Sequence, residues 1–312
     1  MRLISIDDVP GGSPGARLTS GEYVHLARAA RAGTVEAWLP RDINGLLDGG
    51  AEALDIVRRM IARAEAGNAC DAVLPATVRL LAPVPRPRMI VAAGLAYRSH
   101  LAEMSGTPAP AQPTAFMKAS ASILGPDATL TLPAQAASQV DYEGELACVF
   151  GRACHQVAAR EALSYLAGYT VANDLSARDW VKPVWAATAP WEARQTWEVN
   201  IMGKQLPGFT PLGPVLTTVD EIADPSILRL QTRLNGAIMQ DAPVSDLIFP
   251  VAEVIAYLSR WYTFLPGDIL LTGTPAGVGV SRDPPVFLAP GDLIEVEIDR
   301  IGTLSTRIAA SA

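Results

Sequence analysis

The stretch Asp141-Tyr142-Glu143-Gly144-Glu145-Leu146, continuing through Ala147-Cys148-Val149-Phe150, decides how this chain is read. It reads as a strand, in which successive side chains point to opposite faces. Glu143 and Glu145 then share one face, with Tyr142, Gly144 and Leu146 on the other. Two carboxylates so placed repel each other unless a cation lies between them, and a hard divalent ion such as Mg²⁺ prefers carboxylate oxygen. A solvated strand face is the competing account. The chain carries its own comparison in Glu295-Val296-Glu297, which has the same spacing and is expected to be an exposed face.

Composition narrows the field. The 312 residues are 49% hydrophobic and 18% charged, enough for a substantial core in one large domain or a small one plus a large one. No apolar run approaches the ~18 residues of a membrane span, and the first residues lack a signal-peptide core, so neither a membrane nor export is expected. A net charge of −7 argues against nucleic acid as a partner but leaves room for a small anionic substrate in a local positive pocket. Cys70, Cys148 and Cys154 are odd in number and have no CxxC spacing, as expected of free thiols in a reducing cytoplasm. Lysine is confined to Lys118, Lys182 and Lys204 in an arginine-rich chain, which marks each for scrutiny, because lysine can titrate where arginine stays charged.

Periodicity predicts helices over 21–33, 51–67, 158–168 and 251–261, and a helical turn or two over 97–104. Residues 89–94 and 169–172 read as buried strands. The proline-rich stretch 81–88 marks a boundary between a small α/β domain over 1–82 and a larger domain over 83–312. Residues 182–200, rich in Trp and Pro, read as a long loop. From 201 onward Gly/Pro turns punctuate mostly β structure, which suggests a rolled or barrel-like domain.

Four groups of residues could carry chemistry. Asp174, just past a predicted strand, would join Glu143 and Glu145 as a third oxygen ligand, or else cap the next turn. His100 and Glu103 are neighbours at i and i+3, a general-base arrangement or a surface ion pair. Lys204 and Arg178 could clamp an anion or be solvated cations. The stretch 271–279 lacks both the phosphate-loop and dinucleotide patterns; it could be a tight turn or a backbone-and-hydroxyl cradle for a substrate oxygen.

Together these segments resemble the fumarylacetoacetate hydrolase (FAH) family over roughly 87–308. The matching motifs are Tyr97-x-x-His100-x-x-Glu103-Met104, Phe116-Met117-Lys118, Asp141 to Leu146, Asn173-Asp174-x-Ser176-Ala177-Arg178-Asp179-Trp180, and 271–279 followed by Pro290-Gly291-Asp292. The resemblance implies an α+β, mainly β fold, with a rolled mixed β-sheet or barrel as the catalytic domain, and a homodimer. It implies Mg²⁺ or Mn²⁺ held by Glu143, Glu145 and Asp174, with His100 and Glu103 activating water and Lys204 catalytic. Tyr97, Lys118, Arg178 and Thr274 would contact an oxo-acid substrate. The implied reaction is hydrolysis of a C–C bond in an acylpyruvate or other 1,3-diketo acid. Decarboxylation, isomerisation or tautomerisation, and sugar-acid dehydration on the same scaffold are the alternatives, and a non-catalytic ligand-binding relative is a third reading. Val181 stands where many family hydrolases place a Gln that holds the attacked oxygen, a donor whose loss costs about 3 kcal/mol. Ala96 and Pro207 also depart from the pattern. All three departures concern the substrate side of the site.

Overall fold

The computed structural model describes residues 1–104, 107–134 and 138–311. The strand Gly144–Phe150 is buried at every position, as expected of an apolar run covered on both faces. It pairs antiparallel with Leu166–Asn173 on one side and Ile269–Leu271 on the other. Among the described residues it belongs to a twelve-stranded mixed sheet. From Arg2–Ile6 to one edge that sheet runs Arg2–Ile6, Thr210–Thr218, Leu166–Asn173, Gly144–Phe150, Ile269–Leu271, Ile90–Gly94 and Thr114–Lys118 in spatial order.

Alternation along the central strand builds the layers. Leu146, Cys148 and Phe150 join a core with Leu230, Val296, Ile298 and Leu304 of a second, five-stranded sheet and with helix Val251–Leu258. Ala147 and Val149 face the other way, into a core with Val57, Met60 and Ala64 of helix Gly50–Glu65. The large sheet is thus sandwiched between a smaller sheet and an N-terminal helical layer. Among the described residues both of these sheets keep free edges, so the expected roll contains no closed barrel there.

Arg2–Ile6 pairs antiparallel with Thr210–Thr218, Leu3 opposite Leu216, and the large sheet therefore runs on across the boundary expected at residue 82. Three local expectations are corrected. Residues 21–33 hold only the helical turn Leu26–Ala29, because Tyr23–His25 is taken up as a strand beside Ser13–Arg17. The expected helix over 158–168 stops at Ala162, after which Leu166–Asn173 is drawn into the sheet between two partners. Residues 182–200 are not a loop but helices Lys182–Trp185 and Pro190–Met202. The start of the second is signalled by Pro190 in its first turn and by Glu192, whose carboxylate accepts the amides of Thr188 and Ala189. Its apolar residues do not gather on a core-facing stripe, and Trp185, Trp191 and Trp197 are exposed. No helix of the described residues is long and apolar enough to cross a membrane.

Helix Gly50–Glu65 is anchored by Arg63, which donates to Glu36 at 2.5 and 3.0 Å. That hydrogen-bonded pairing holds the buried Glu36 carboxyl at about 2, below its usual 4.5. A depressed carboxyl contributes stability in full above its unfolded value and loses it as pH falls through 4.5 toward 2. Glu36→Gln is therefore expected to cost about 2 kcal/mol at neutral pH, with the gap from the native protein closing in acid. Urea unfolding across that pH range checks it; a gap independent of pH would contradict it.

Candidate active site

The pairing register sets Gly144 opposite Asn173. That brings Glu143 and Glu145, on either side of Gly144, up to Asp174, which follows the neighbouring strand. One oxygen from each of the three lies within 4.8 Å of the others. All three are buried, Glu143 at 7% exposure and the other two at 1%, which removes both the solvated-face and the turn-capping accounts. Glu295 and Glu297 behave as the comparison predicts: they lie on the partly exposed face of their strand and pair with Arg233. Gly144 has no room for a side chain, since a Cβ would lie 2.4 Å from Thr232 Oγ1 of the second sheet.

Three basic side chains answer the carboxylates, and burial pulls one of them, Lys118, below the usual lysine range. Lys204 Nζ donates to Glu143 Oε2 and Asp174 Oδ2, both at 2.7 Å. Arg178 bridges Asp141 at 2.8 Å and Glu143 at 2.6 Å. Lys118, with its ammonium fully buried, donates to the remaining oxygen of Asp174. Burial opposes ionisation of Glu143, but Lys204 and Arg178 outweigh it and bring its carboxyl down to about 2. Burial likewise opposes charge on Lys204 and Arg178, and the neighbouring carboxylates overcome it and raise both. Glu145 is the exception. Burial, then the Asp174 and Glu143 charges, push its carboxyl well above the usual range, and its Oε2 receives only the amide of Gly273, at 2.7 Å.

His100 Nδ1 lies 2.6 Å from Glu103 Oε1. A carboxylate can only accept here, so Nδ1 carries the proton and Nε2 is left as a base. Glu103 Oε2 in turn accepts the amide of Gly277 at 2.8 Å. The backbone of the turn after Ile269–Leu271 also has a task inside the protein. Its amides hold three protein carboxylates: Gly273 on Glu145, Gly277 on Glu103, and Gly279 on Asp141 at 2.6 Å. Glycine is required at 277, where φ is +102° and a Cβ would lie 2.0 Å from the Met239 carbonyl oxygen.

These groups close one end of a cavity of about 350 Å³. His100, Glu143, Glu145, Asp174, Arg178, Lys204 and Thr274 reach its wall. Glu103 sits behind His100. Two expected substrate contacts do not reach the cavity: Tyr97 is fully buried in the main core, and Lys118 stands behind Asp174. Thr274 lines the wall, but its hydroxyl already donates to the Gly144 carbonyl and accepts from Gln240. The sequence reading missed Asp141 as the organiser of Arg178, although it lay inside the deciding stretch. It also missed Trp197 and Asn200, in the stretch read as a loop, and Ile201, at the start of the part read as mostly β, all of which line the cavity.

The donor set fits a hard divalent cation: it is all carboxylate oxygen, buried, and short of positive charge at Glu145. Five of the six oxygens already accept from a protein donor, each keeping a second lone pair, and Glu145 Oε1 has none among the described residues. Glu145→Gln keeps the shape and the Gly273 contact. It is expected to weaken Mn²⁺ binding by at least ~10-fold with unchanged circular dichroism, measured by titration calorimetry. Unaltered affinity would remove Glu145 from the site.

The profile of the fumarylacetoacetate (FAA) hydrolase C-terminal family matches residues 89–309. The human protein named oxaloacetate tautomerase FAHD2A, mitochondrial, is 39% identical over 271 residues, covering 86% of this chain and 80% of its own. Oxaloacetate tautomerase YisK of Bacillus subtilis is 39% identical over 233 residues, covering 74% and 73%. Among solved structures, fumarylacetoacetate hydrolase from Exiguobacterium antarcticum superposes with a TM-score of 0.78 at 30% identity, covering both chains in full. Maleylpyruvate hydrolase from Sphingobium sp. SYK-6, in complex with manganese(II) and pyruvate, does so with 0.75 at 27%, again covering both in full. The order and spacing of the site motifs, the stacked-sheet fold and these likenesses agree, and the chain belongs to the fumarylacetoacetate hydrolase family.

Proposed function

We propose that this chain is a divalent-metal-dependent enzyme that moves a proton on the carbon next to the carbonyl of a 2-oxo acid, interconverting its keto and enol forms. The observation that carries the reading is the placement of one oriented base, His100, at the charged end of a cavity whose other charges are locked together. When bound, Mg²⁺ or Mn²⁺ would supply a Lewis acid for the 2-oxo-carboxylate end and lower the cost of negative charge there. The chain's own residues do the rest. Glu103 holds Nδ1 of His100, so that Nε2 takes the proton from carbon and returns it to oxygen or carbon. Lys204, kept charged by Asp174 and Glu143, presents positive charge to the oxygen that becomes negative. Arg178 and Lys118 hold the carboxylates in place. The tautomerase names of the relatives that are 39% identical support this reading. So does Val181, which is buried outside the cavity wall and offers no donor to an attacked carbonyl.

Hydrolysis of a C–C bond, the first expectation from the resemblance, is the second reading. It is favoured by the same dyad, which would serve equally to activate water, and by the hydrolase neighbour that held manganese(II) and pyruvate. A homodimer, also expected from the resemblance, belongs to the proposal and is read by light scattering.

The test follows enol absorbance for oxaloacetate and a panel of acylpyruvates, with Mg²⁺, with Mn²⁺ and with chelator, and identifies products by mass. Metal-dependent loss of the enol with the substrate mass unchanged is expected, and His100→Gln should slow it by about 10²–10⁴-fold. Release of pyruvate and a free acid would replace tautomerisation by hydrolysis. Unchanged rates in chelator would sink both.

A further inference from the structure

Beyond its charged end, the cavity wall has a different chemistry. Leu95, Met104, Phe116, Trp197 and Ile201 make it hydrocarbon, and Asn200 is its one side-chain amide. The two cations that reach the cavity, Lys204 and Arg178, are each held by two carboxylates. No other Lys or Arg lines it among the described residues. A second carboxylate on a substrate would meet apolar surface and one uncharged amide there and no cation, so burying its charge would be costly.

The helix Pro190–Met202 gives this wall an order. Trp197, Asn200 and Ile201 are spaced i, i+3 and i+4 and share one face of it, and Lys204 follows in the turn just past its end. At ~1.5 Å per residue the helical part, from Trp197 to Ile201, rises about 6 Å. Lys204, in the turn beyond the helix, sits on the carboxylates, Ile201 and Asn200 line the wall from the last helical turn, and the half-exposed Trp197 stands at the mouth. The Asn200 side chain takes part in no hydrogen bond with the described residues, although an amide offers two donors and an acceptor.

We propose that this helix face is the specificity wall of the site and selects a 2-oxo acid whose far end is an uncharged, largely apolar chain. Ile201 and Trp197 cover the hydrocarbon, and Asn200 bonds a neutral oxygen on it. A four-carbon dicarboxylate such as oxaloacetate leaves the outer cavity unfilled and presents a charge that no free cation there answers. The preferred substrate thus differs from the one in the names of the relatives. The inference rests on the 2-oxo-acid reading and deepens it.

Binding of inert mimics tests it independently of which reaction follows. Calorimetry on the Mg²⁺-loaded protein compares oxamate, N-butyl oxamate and N-carboxymethyl oxamate, which share a head and differ in the charge of the tail. The butyl compound is expected to bind about tenfold or more tightly than the carboxymethyl one. Ile201→Lys, which places a cation in the outer wall, should close or invert that ratio. Equal or tighter binding of the carboxymethyl compound by the native protein would overturn the proposal, as would a ratio that Ile201→Lys leaves unchanged. If oxamate itself fails to bind, the 2-oxo-acid reading falls and this inference with it. Oxamate binding without tail discrimination removes this inference alone.

Discussion

Three carboxylates whose oxygens come within 4.8 Å of one another in a buried site cannot all be ionised unless positive charge surrounds them. Much of the architecture answers that constraint. Lys204, Lys118 and Arg178 come from three separate parts of the chain and each ends on these groups. A fourth carboxylate, Asp141, is needed to hold Arg178, and three backbone amides, of Tyr142, Gly279 and Val280, hold Asp141. The arrangement satisfies Glu143 and Asp174 and leaves Glu145 short of charge, and it is this imbalance that makes a divalent ion fit. Removing one member of such a network leaves its partner charged and buried, which costs far more than the pair is worth.

The turn 272–279 is the second element on which the site depends. A turn with few side chains places its N–H groups on Glu145, Glu103 and Asp141, so the metal candidates, the base's orienter and the arginine's anchor share one backbone support. The second sheet enters here as well. Gln240 donates to Thr274 and the Pro275 carbonyl, and accepts the amide of Gly144, tying the turn to the deciding strand. The five-stranded sheet is thus part of the catalytic geometry and not merely a cover for the core.

Much of this was legible in the sequence, and the remainder was hidden for physical reasons. Period-two alternation places Glu143 and Glu145 on one face, and i, i+3 spacing joins His100 to Glu103. Neither pattern says that Lys118 stands behind Asp174, or that Tyr97 turns into the core, because both depend on how distant strands stack. The helix Pro190–Met202 escaped because its stripe faces a cavity on one side and solvent on the other, so its apolar residues show no core-facing period. Its signals were Pro190 and Glu192, which mark a start that the tryptophans obscured. The N-terminal strands escaped likewise: that Leu3 lies opposite Leu216 is a pairing across the whole chain that no local window contains.

The most direct measurement is anomalous diffraction from crystals soaked in Mn²⁺ with oxalate. One strong anomalous peak between Glu143, Glu145 and Asp174 is predicted, with oxalate on its cavity side within reach of Lys204. A peak elsewhere, or none at these carboxylates while Lys204 still bridges Glu143 and Asp174, would contradict the account of the site as a metal-centred one.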